Sequence, residues 1–518
     1  MKFQDGYQAR EALKTNAIEN GWQIHFKRVT KNQMEAYCTS PCKWRCYGSL
    51  VTLDDSFIIK IVEGVHTCPR AMRNKQVSSS WIAKKYLNVF RVRPEITVKE
   101  LGKDILERYA CHTTIWKLYK AKDKAIEQLR GSVEQHYAKL RSYILELLRV
   151  DREGRFELKL DVGAIFKGIY IGFSTLKKGF NVGCRRVIGL DGAFLKTYLG
   201  EVLLCAIGKD GNNQMFPIAW AVVEVENEAC WKWFLQILME ELGLRDGLGI
   251  TFISDQQKGL INAIQDLAPF ATHRNCARHV YSNWKKTHKG ATLKNILWKV
   301  VRATYLEEYN LALQEMEKEN AVAHEDFIGR DPKKFCKAFI EPAVVCDMIL
   351  NNVSETFNGY ILNARGKHLI HMLEEIRTSL MDRQYRKLEE VRGNNDLLCP
   401  SIRKKLDKLN MDSRFCITHP ALGGKFEVDL NEDRFVVDVG TRSCTCRQWD
   451  ITGIPCPHGC AMINFLKEDV AGYVHEYYSL AKYKDAYAYG LPPLNGEKMW
   501  PRAEGYPVKP PLVKKMPR

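Results

Sequence analysis

The spacing of apolar residues changes several times along the chain, and each change marks a different kind of element. Near the amino terminus short alternating runs are typical of strands, for example FIIKIVEG at 57–64. From 78 to about 150 the apolar positions recur with helical spacing, and Thr97 with Glu100 forms a T-x-x-E capping box. A break at 111–114 separates two of these helices, a pattern compatible with a helix-turn-helix and equally with plain helical packing.

Residues 187–275 predict an α/β core. Three apolar runs, VIGLD, EVLLCAIG and QMFPIAWAVV, are separated by turns and followed by an amphipathic helix, the strand GITFISD and a second helix. This succession of elements is the order of a ribonuclease-H-like core. Amphipathic helices over about 283–345 would form an insertion, and helical spacing returns from 353 to 392.

Strand-like segments at 426–439 precede a second group of cysteines, and the segment from Leu491 is rich in Pro and Lys, which predicts disorder. The fold expected is therefore a multidomain α/β chain. Its predicted parts are a zinc-bound β module at 1–75, a helical segment at 76–150, the core at 185–392, a zinc finger at 420–470 and a disordered tail at 491–518.

The distribution of charge indicates what kind of partner the chain could bind. The chain has 518 residues and a formal net charge of +17, and residues 1–150 hold 27 Lys and Arg against 15 Asp and Glu. A basic region joined to a nearly balanced remainder suggests a polyanionic partner, most often nucleic acid, and is equally compatible with a merely soluble basic surface. No run of about 18 apolar residues and no apolar signal stretch occurs, so we expect an intracellular protein without a membrane span.

Six of the 17 cysteines fall into two tight groups with histidines. The odd number, without a secretory signal, argues against a disulfide framework. In the first group the spacing C-x3-C followed by H-x-C gives Cys38, Cys42, His66 and Cys68, enough for a tetrahedral zinc site, with Cys46 as an alternative ligand. Zinc would stabilise a core of only about 75 residues.

The second group is the more specific. Cys444, Cys446, Cys456 and His458 follow the pattern C-x-C-x9-C-x-H and supply four zinc ligands within fifteen residues. Such a density of soft ligands is hard to reach by chance, and no open coordination position is suggested. We therefore expect a second, structural zinc ion.

Acidic residues end two of the predicted core strands. Asp191 ends VIGLD and Asp255 ends ITFISD, where carboxylates on neighbouring strands could share Mg²⁺ or Mn²⁺ for phosphoryl transfer. Taken alone, both residues are slightly better explained as turn or helix-capping acids. A third carboxylate would be Glu355 in NNVSETFN, with Glu341 and Asp347 as rivals by chemistry.

These motifs together resemble the plant Mutator-like (MuDR-type) transposases. The amino-terminal segments KFQDGYQAREAL, CTSPCKWRCYGS and VEGVHTC resemble the MuDR amino-terminal domain, which is related to the WRKY-type zinc finger. GLDGAFLK, FPIAWAVVEVENEACWKWFL, ISDQQKGLINAI and HRNCARHVYSN resemble the transposase core, and CTCRQWDITGIPCPHGCAMI resembles the SWIM zinc finger.

The resemblance implies a catalytic triad of Asp191, Asp255 and Glu355, and double-stranded DNA, at terminal repeats, as the partner. It also implies a nuclear protein that assembles as a homo-oligomer. Cys276 and His279 match the family's C-x-x-H, for which a structural or DNA-contacting role is favoured over metal ligation. Two alternatives stay open: a domesticated transcription regulator that binds promoter DNA without cutting it, and a zinc-stabilised interaction module without catalysis.

Overall fold

The computed structural model describes residues 2–39, 42–51, 56–93, 96–130, 133–197 and 199–511. These residues form two compact units, divided between Gln135 and His136. Among the helices of these residues none is both long and apolar enough to cross a bilayer.

The first unit contains an antiparallel five-stranded sheet in the order β1-β5-β4-β3-β2. Its strands are β1 (Lys2–Phe3), β2 (Ile24–Val29), β3 (Gln33–Cys38), β4 (Arg45–Val51) and β5 (Ser56–Glu63). Its helices are α1 (Gly6–Glu19), α2 (Ser79–Lys85), α3 (Leu87–Val92), α4 (Val98–Tyr109) and α5 (Ile115–Arg130), and α6 (Val133–Ala138) contains the boundary.

Local sequence explains where several of these elements begin. Asp5 caps α1 by accepting a hydrogen bond from the Gln8 N–H at 2.8 Å. The predicted capping box of α4 is confirmed: Thr97 Oγ1 accepts from the Glu100 N–H, and the Glu100 carboxylate accepts from the Thr97 N–H at 2.8 Å. Both bonds satisfy backbone donors that the first turn of a helix leaves free.

The second unit is built on a seven-stranded mixed sheet in the order β12-β11-β8-β9-β10-β7-β6. Its strands are β6 (Arg155–Asp161), β7 (Ile165–Gly172), β8 (Cys184–Phe194), β9 (Val202–Asp210), β10 (Met215–Val223), β11 (Thr251–Ser254) and β12 (Thr272–Asn275). Every residue of β9 and β10 is buried, which explains why these strands read as continuous apolar runs.

Helices cover this sheet and continue beyond it. They are α7 (Leu140–Val150), α8 (Ser174–Gly183), α9 (Glu228–Leu242), α10 (Lys258–Leu267), α11 (Ala277–Trp284), α12 (Ala291–Arg302), α13 (Leu306–Glu319), α14 (Ala321–Ile328), α15 (Asn352–Tyr360), α16 (Leu369–Glu389) and α17 (Pro400–Asp412). A core of their own, which includes Trp284, Val300 and Phe327, joins α11 to α14.

A small antiparallel sheet follows, in the order β13-β14-β15-β16. It consists of β13 (Cys416–Pro420), β14 (Lys425–Leu430), β15 (Asp433–Asp438) and β16 (Ser443–Cys444) and is followed by α18 (Gln448–Thr452), α19 (Pro457–Phe465) and α20 (Leu480–Tyr487). Short 3-10 turns connect the helices at Pro332–Lys334, Lys337–Phe339, Pro342–Val344, Ala364–Gly366, Ser413–Phe415, Val470–Tyr473, Glu476–Tyr478 and Glu497–Met499.

The structure differs from the sequence prediction in two places. The sheet gains β6 and β7, which lie before the predicted start of the core at 185. The segment from Leu491 to Pro511 is packed rather than disordered: Leu491 and Val508 are buried, because isolated apolar residues anchor an otherwise polar, Pro-rich stretch. The rest of the predicted tail, 512–518, lies outside the described residues.

Candidate catalytic and metal centres

Asp191 and Asp255 lie at the same level on one edge of the large sheet. Strands β8 and β11 are parallel neighbours, with Ile253 paired to Gly189. Asp191 lies two residues beyond this pair on β8, and Asp255 lies two residues beyond it after β11. The two adjacent parallel strands therefore place both carboxylates at the same edge of the sheet. The register of the strands, rather than a flexible loop, fixes their positions.

The electrostatics of Asp191 show how crowded with negative charge this edge is. Burial, and then the charge of Asp255, raise the pKa of Asp191 to about 7, against smaller opposing effects from His279 and Asn358. The Asn358 side-chain amide donates to Asp191 Oδ2 at 2.7 Å. Asp255 accepts from the Gln257 N–H at 3.1 Å, in a turn before α10. A pair of half-buried like charges is an arrangement that a bound cation would relieve.

A third carboxylate that the sequence analysis missed, Glu226, reaches the same edge. It follows β10, which is antiparallel to β9, as β9 is to β8, so the carboxyl ends of β10 and β8 face the same way. A Cβ atom added at Gly192 would lie 2.7 Å from Glu226 Oε1, which places this carboxylate directly against the residue after Asp191. Trp231 Nε1 donates to Glu226 Oε1 at 3.2 Å. The signal in the sequence was an acid just after a buried apolar run.

Glu355 lies on helix α15, which packs at this edge. It occupies the first turn of α15, one turn before Asn358, the residue that bonds Asp191. Its carboxylate forms an ion pair with Arg278 of α11. Asn351, just before α15, donates from its side chain to the Leu190 carbonyl at 2.9 Å and so ties the start of the helix to β8.

The two rival acids occupy other surroundings. Asp347 accepts from Lys337 Nζ at 2.8 Å and interacts with Arg185, near the amino end of β8, away from Asp191. Glu341 lines a cavity that also contains Arg274. Of the three candidates for the third acid, Glu355 is the one whose helix contacts the Asp191 side chain.

Cys276 and His279 lie beside the acids. Cys276 is fully buried at the start of α11, and its sulfur accepts from the Asn351 N–H at 3.2 Å. A hydrogen bond with Cys276, and then the charges of Asp255 and Asp191, raise the pKa of His279 to about 9. A protonated imidazole would offset part of the negative charge at this edge. Neither residue belongs to a Cys/His metal set among the residues described.

The first Cys/His group converges. The candidate ligand atoms of Cys38, Cys42, His66 and Cys68 all lie within 4.8 Å of one another. Cys38 Sγ is 3.5 Å from Cys68 Sγ, and Cys42 Sγ is 3.7 Å from His66 Nδ1. Cys46, the alternative ligand, is fully buried in β4 and outside this set; burial raises the pKa of its thiol to about 11.

Aromatic packing fixes the histidine of this group. The His66 ring is stacked between Trp22 and Trp44, with centroid separations of 3.9 and 4.6 Å. Two indole rings therefore set the orientation of the imidazole, so that Nδ1 faces the thiols. Three sulfur atoms and one nitrogen are the donor chemistry of a structural zinc site.

The second group converges as well. The candidate ligand atoms of Cys444, Cys446, Cys456 and His458 lie within 4.8 Å of one another, and all four residues are buried. His458 Nδ1 is 3.6 Å from Cys444 Sγ and 3.7 Å from Cys456 Sγ. The ligands come from β16, the turn after it and the start of α19, so one ion would join the small sheet to its helix.

Two family profiles match the chain. Residues 187–283 match the MULE transposase domain, and residues 426–467 match the SWIM zinc finger. Both matches support a Mutator-like transposase family. No curated protein matches the chain closely enough to serve as a relative.

The two matched segments contain most of the candidate site residues. The first includes Asp191, Glu226 and Asp255, and ends before Glu355. The second includes all four ligands of the carboxy-terminal cluster. The finger match and the two clusters together support zinc binding, and a transposase domain suggests interaction with DNA.

Proposed function

We propose that the chain is a DNA transposase of the Mutator-like type, which cleaves and joins DNA at the terminal repeats of an element. The observation that carries this proposal is the convergence of Asp191 and Asp255 at one sheet edge, within the segment that matches the MULE transposase domain. The proposal includes a ribonuclease-H-like core. The sheet order β10-β9-β8-β11-β12, with β11 and β12 parallel to β8, supports that part of it.

The oxygen chemistry of the donors fits divalent cations, although among the described residues only the two Cys/His sets bring three or more ligand atoms within 4.8 Å of one another. Carboxylate oxygens of Asp191, Asp255 and Glu355 are hard ligands of the kind Mg²⁺ and Mn²⁺ prefer, and a cation would balance the charge of Asp255 that, after burial, raises the pKa of Asp191. When bound, two such ions would activate the attacking hydroxyl and stabilise the leaving oxygen. Asn358 would orient Asp191, while His279 would hold a proton close to both aspartates.

The remaining parts have supporting roles in this proposal. Basic side chains of residues 1–150 would contact the DNA backbone, and an amino-terminal MuDR-type, WRKY-like module held by Cys38, Cys42, His66 and Cys68 would carry DNA binding. Both zinc ions would be structural. Because its substrate is chromosomal DNA, we place the protein in the nucleus, and bringing two element ends together calls for a homo-oligomer.

Cleavage of a duplex that carries terminal-repeat DNA tests the proposal. We expect strand cleavage that depends on Mg²⁺ or Mn²⁺ and that Asp191→Ala abolishes. Asp161→Ala is the control, since Asp161 ends β6, four strands away from β8 in the sheet, and pairs with Lys167 at the surface. Cleavage that survives Asp191→Ala, or that needs no divalent ion, would contradict the proposal.

A domesticated regulator is the second candidate, and the ion pair of Glu355 with Arg278 favours it, because a carboxylate held by arginine is not free to bind a cation. The same experiment separates the two. Sequence-specific binding to promoter DNA without cleavage, in wild type and Asp191→Ala alike, would establish the regulator.

A further inference from the structure

Helices α4 and α5 of the first unit are joined as in a helix-turn-helix. Five residues separate them, beginning with Ala110, whose φ of 47° turns the chain sharply at the end of α4. Leu101 and Ile105 of α4 pack with Leu118 of α5 in one hydrophobic core, which also includes Trp81. The pair therefore has a fixed geometry, and the outer face of α5 is held in a defined orientation.

That outer face carries large apolar side chains in water. Trp116 is 76% exposed, Ile115 53% and Tyr119 49%, whereas Ala121 on the opposite face is fully buried. A half-exposed tyrosine alone would be ordinary, but an indole and a branched aliphatic side chain beside it, all in the first two turns of one helix, form a patch typical of a binding surface.

Charge identifies the occupant of this patch. Residues 115–122, IWKLYKAK, contain three lysines and no acid, and residues 1–135 contain 24 Lys and Arg against 14 Asp and Glu. Lys122 donates to the Ile96 carbonyl at 2.7 Å and supports the helix, while Lys120 is exposed one turn after Trp116 and Lys117, the residue after Trp116, is half-buried. The positive end of the helix dipole lies in the same first turn. An apolar patch with this surrounding charge complements a polyanion that also presents apolar groups.

We propose that the first two turns of α5 enter the major groove of double-stranded DNA. Lys117 and Lys120 contact phosphates, and Ile115 and Trp116 lie against base edges, where thymine methyl groups offer apolar contact. Asp123 and Glu127 are exposed farther along α5 and would repel the backbone, which limits the contact to these two turns. This inference rests on the DNA binding of the proposed function and names the surface that performs it.

Binding of the full-length protein to a fluorescently labelled 30-base-pair duplex of mixed sequence, measured by anisotropy over a range of salt concentrations, tests the role of the lysines. We expect the slope of log affinity against log salt to fall by about 0.9 for each of Lys117→Ala and Lys120→Ala. Lys103→Ala is the matched control, since Lys103 is an exposed lysine of α4 that pairs with Glu107.

A photo-cross-linking amino acid at position 116 tests the apolar contact. We expect a covalent adduct with the duplex from position 116 and none from Leu248, an equally exposed apolar residue that precedes β11 in the second unit. Adducts between two copies of the chain instead of adducts with DNA would show a protein interface and overturn the inference.

The outcomes separate this inference from the function on which it rests. Wild-type binding that depends on salt, with Lys117→Ala and Lys120→Ala indistinguishable from Lys103→Ala, overturns the α5 surface and leaves the transposase proposal standing. Absence of DNA binding by the wild-type protein at low salt overturns both. Circular dichroism of each variant checks that the helices are retained.

Discussion

Single carboxyl groups in the second unit show how burial changes acid chemistry. Glu226 and Asp191 both lie at the crowded sheet edge, where burial and the charge of Asp255 raise the pKa of each. Glu201, just before β9, is buried elsewhere with a tyrosine hydroxyl as its partner. Glu226 and Asp191 share a site with other acids, whereas Glu201 does not, so substitutions of these residues should have different consequences.

Glu226→Gln should weaken the binding of a divalent or trivalent cation at the Asp191 edge by about tenfold or more, because a carboxylate beside the site is lost. Terbium luminescence sensitised by Trp231, which is hydrogen-bonded to Glu226, measures this binding directly. Glu228→Gln is the control: Glu228 is close in sequence but pairs with Lys232. Equal terbium affinity in the two variants would exclude Glu226 from the site.

Glu201→Gln should remove a pH dependence of stability. Burial raises the pKa of Glu201 to about 7, so the folded chain holds a proton that the unfolded chain releases above its ordinary pKa of 4.5. Stability therefore falls as pH rises from about 4.5 to 7, by at most about 3 kcal/mol. The glutamine variant keeps an acceptor for the Tyr137 hydroxyl and should melt at a higher temperature than wild type at pH 8.

At pH 5 the two proteins should melt at similar temperatures, since Glu201 is then protonated in the folded wild type. A constant difference in melting temperature between pH 5 and pH 8 would contradict the assignment of this titration to Glu201.

At the scale of elements, the carboxy-terminal finger shows how a short sheet depends on its ligands. Strand β16 contains two residues, Ser443 and Cys444, and β13 is largely exposed. Apolar packing of Phe426 of β14 against Phe465 of α19, at a centroid separation of 5.9 Å, is one link between sheet and helix, and the ligands that join β16 to the start of α19 are another. Metal binding and folding of this element should therefore be one event.

Cys456→Ala should lower the zinc content from two ions per chain to one and unfold the finger, because three ligands hold zinc less tightly than four. Elemental analysis of the purified protein measures the content. Cys460→Ala is the matched control: Cys460 is equally buried, four residues away on α19, but outside the ligand set. Two zinc ions retained in Cys456→Ala would exclude Cys456 as a ligand.

At the scale of the whole molecule, the segment from Leu491 to Pro511 binds back onto elements far away in sequence. Lys509 forms backbone hydrogen bonds with Phe166 and Ala164 at the start of β7, at 3.0 and 2.9 Å. Trp500 packs against Tyr143 of α7 at a centroid separation of 5.3 Å. This segment therefore contacts β7 and α7, which lie more than 300 residues earlier in the second unit.

Val508→Asp should destabilise the second unit by about 2 kcal/mol or more, because it buries an unpaired carboxylate at a site that is 2% exposed. Thermal unfolding and the rate of tryptic cleavage report the loss. Met499→Asp lies in the same segment at an exposed site and should leave both unchanged. An unchanged melting temperature of Val508→Asp would mean that the segment contributes little to the stability of the second unit.

The sequence by itself determined the elements and ligand sets that depend on short spacing. The capping box of α4 and the four ligands of each Cys/His cluster lie within segments of at most about 30 residues, so local geometry brings them together. The buried strands β9 and β10 also followed directly from their apolar runs.

Only the tertiary structure decided the relations that depend on strand order and long connections. It placed Glu226 beside Asp191, because β10 lies two strands away with its end at the same edge, and no local spacing encodes that distance. It likewise brought α15 to β8 and packed Val508 near β7, since contacts of that range depend on the free energy of the assembled core rather than on any short pattern.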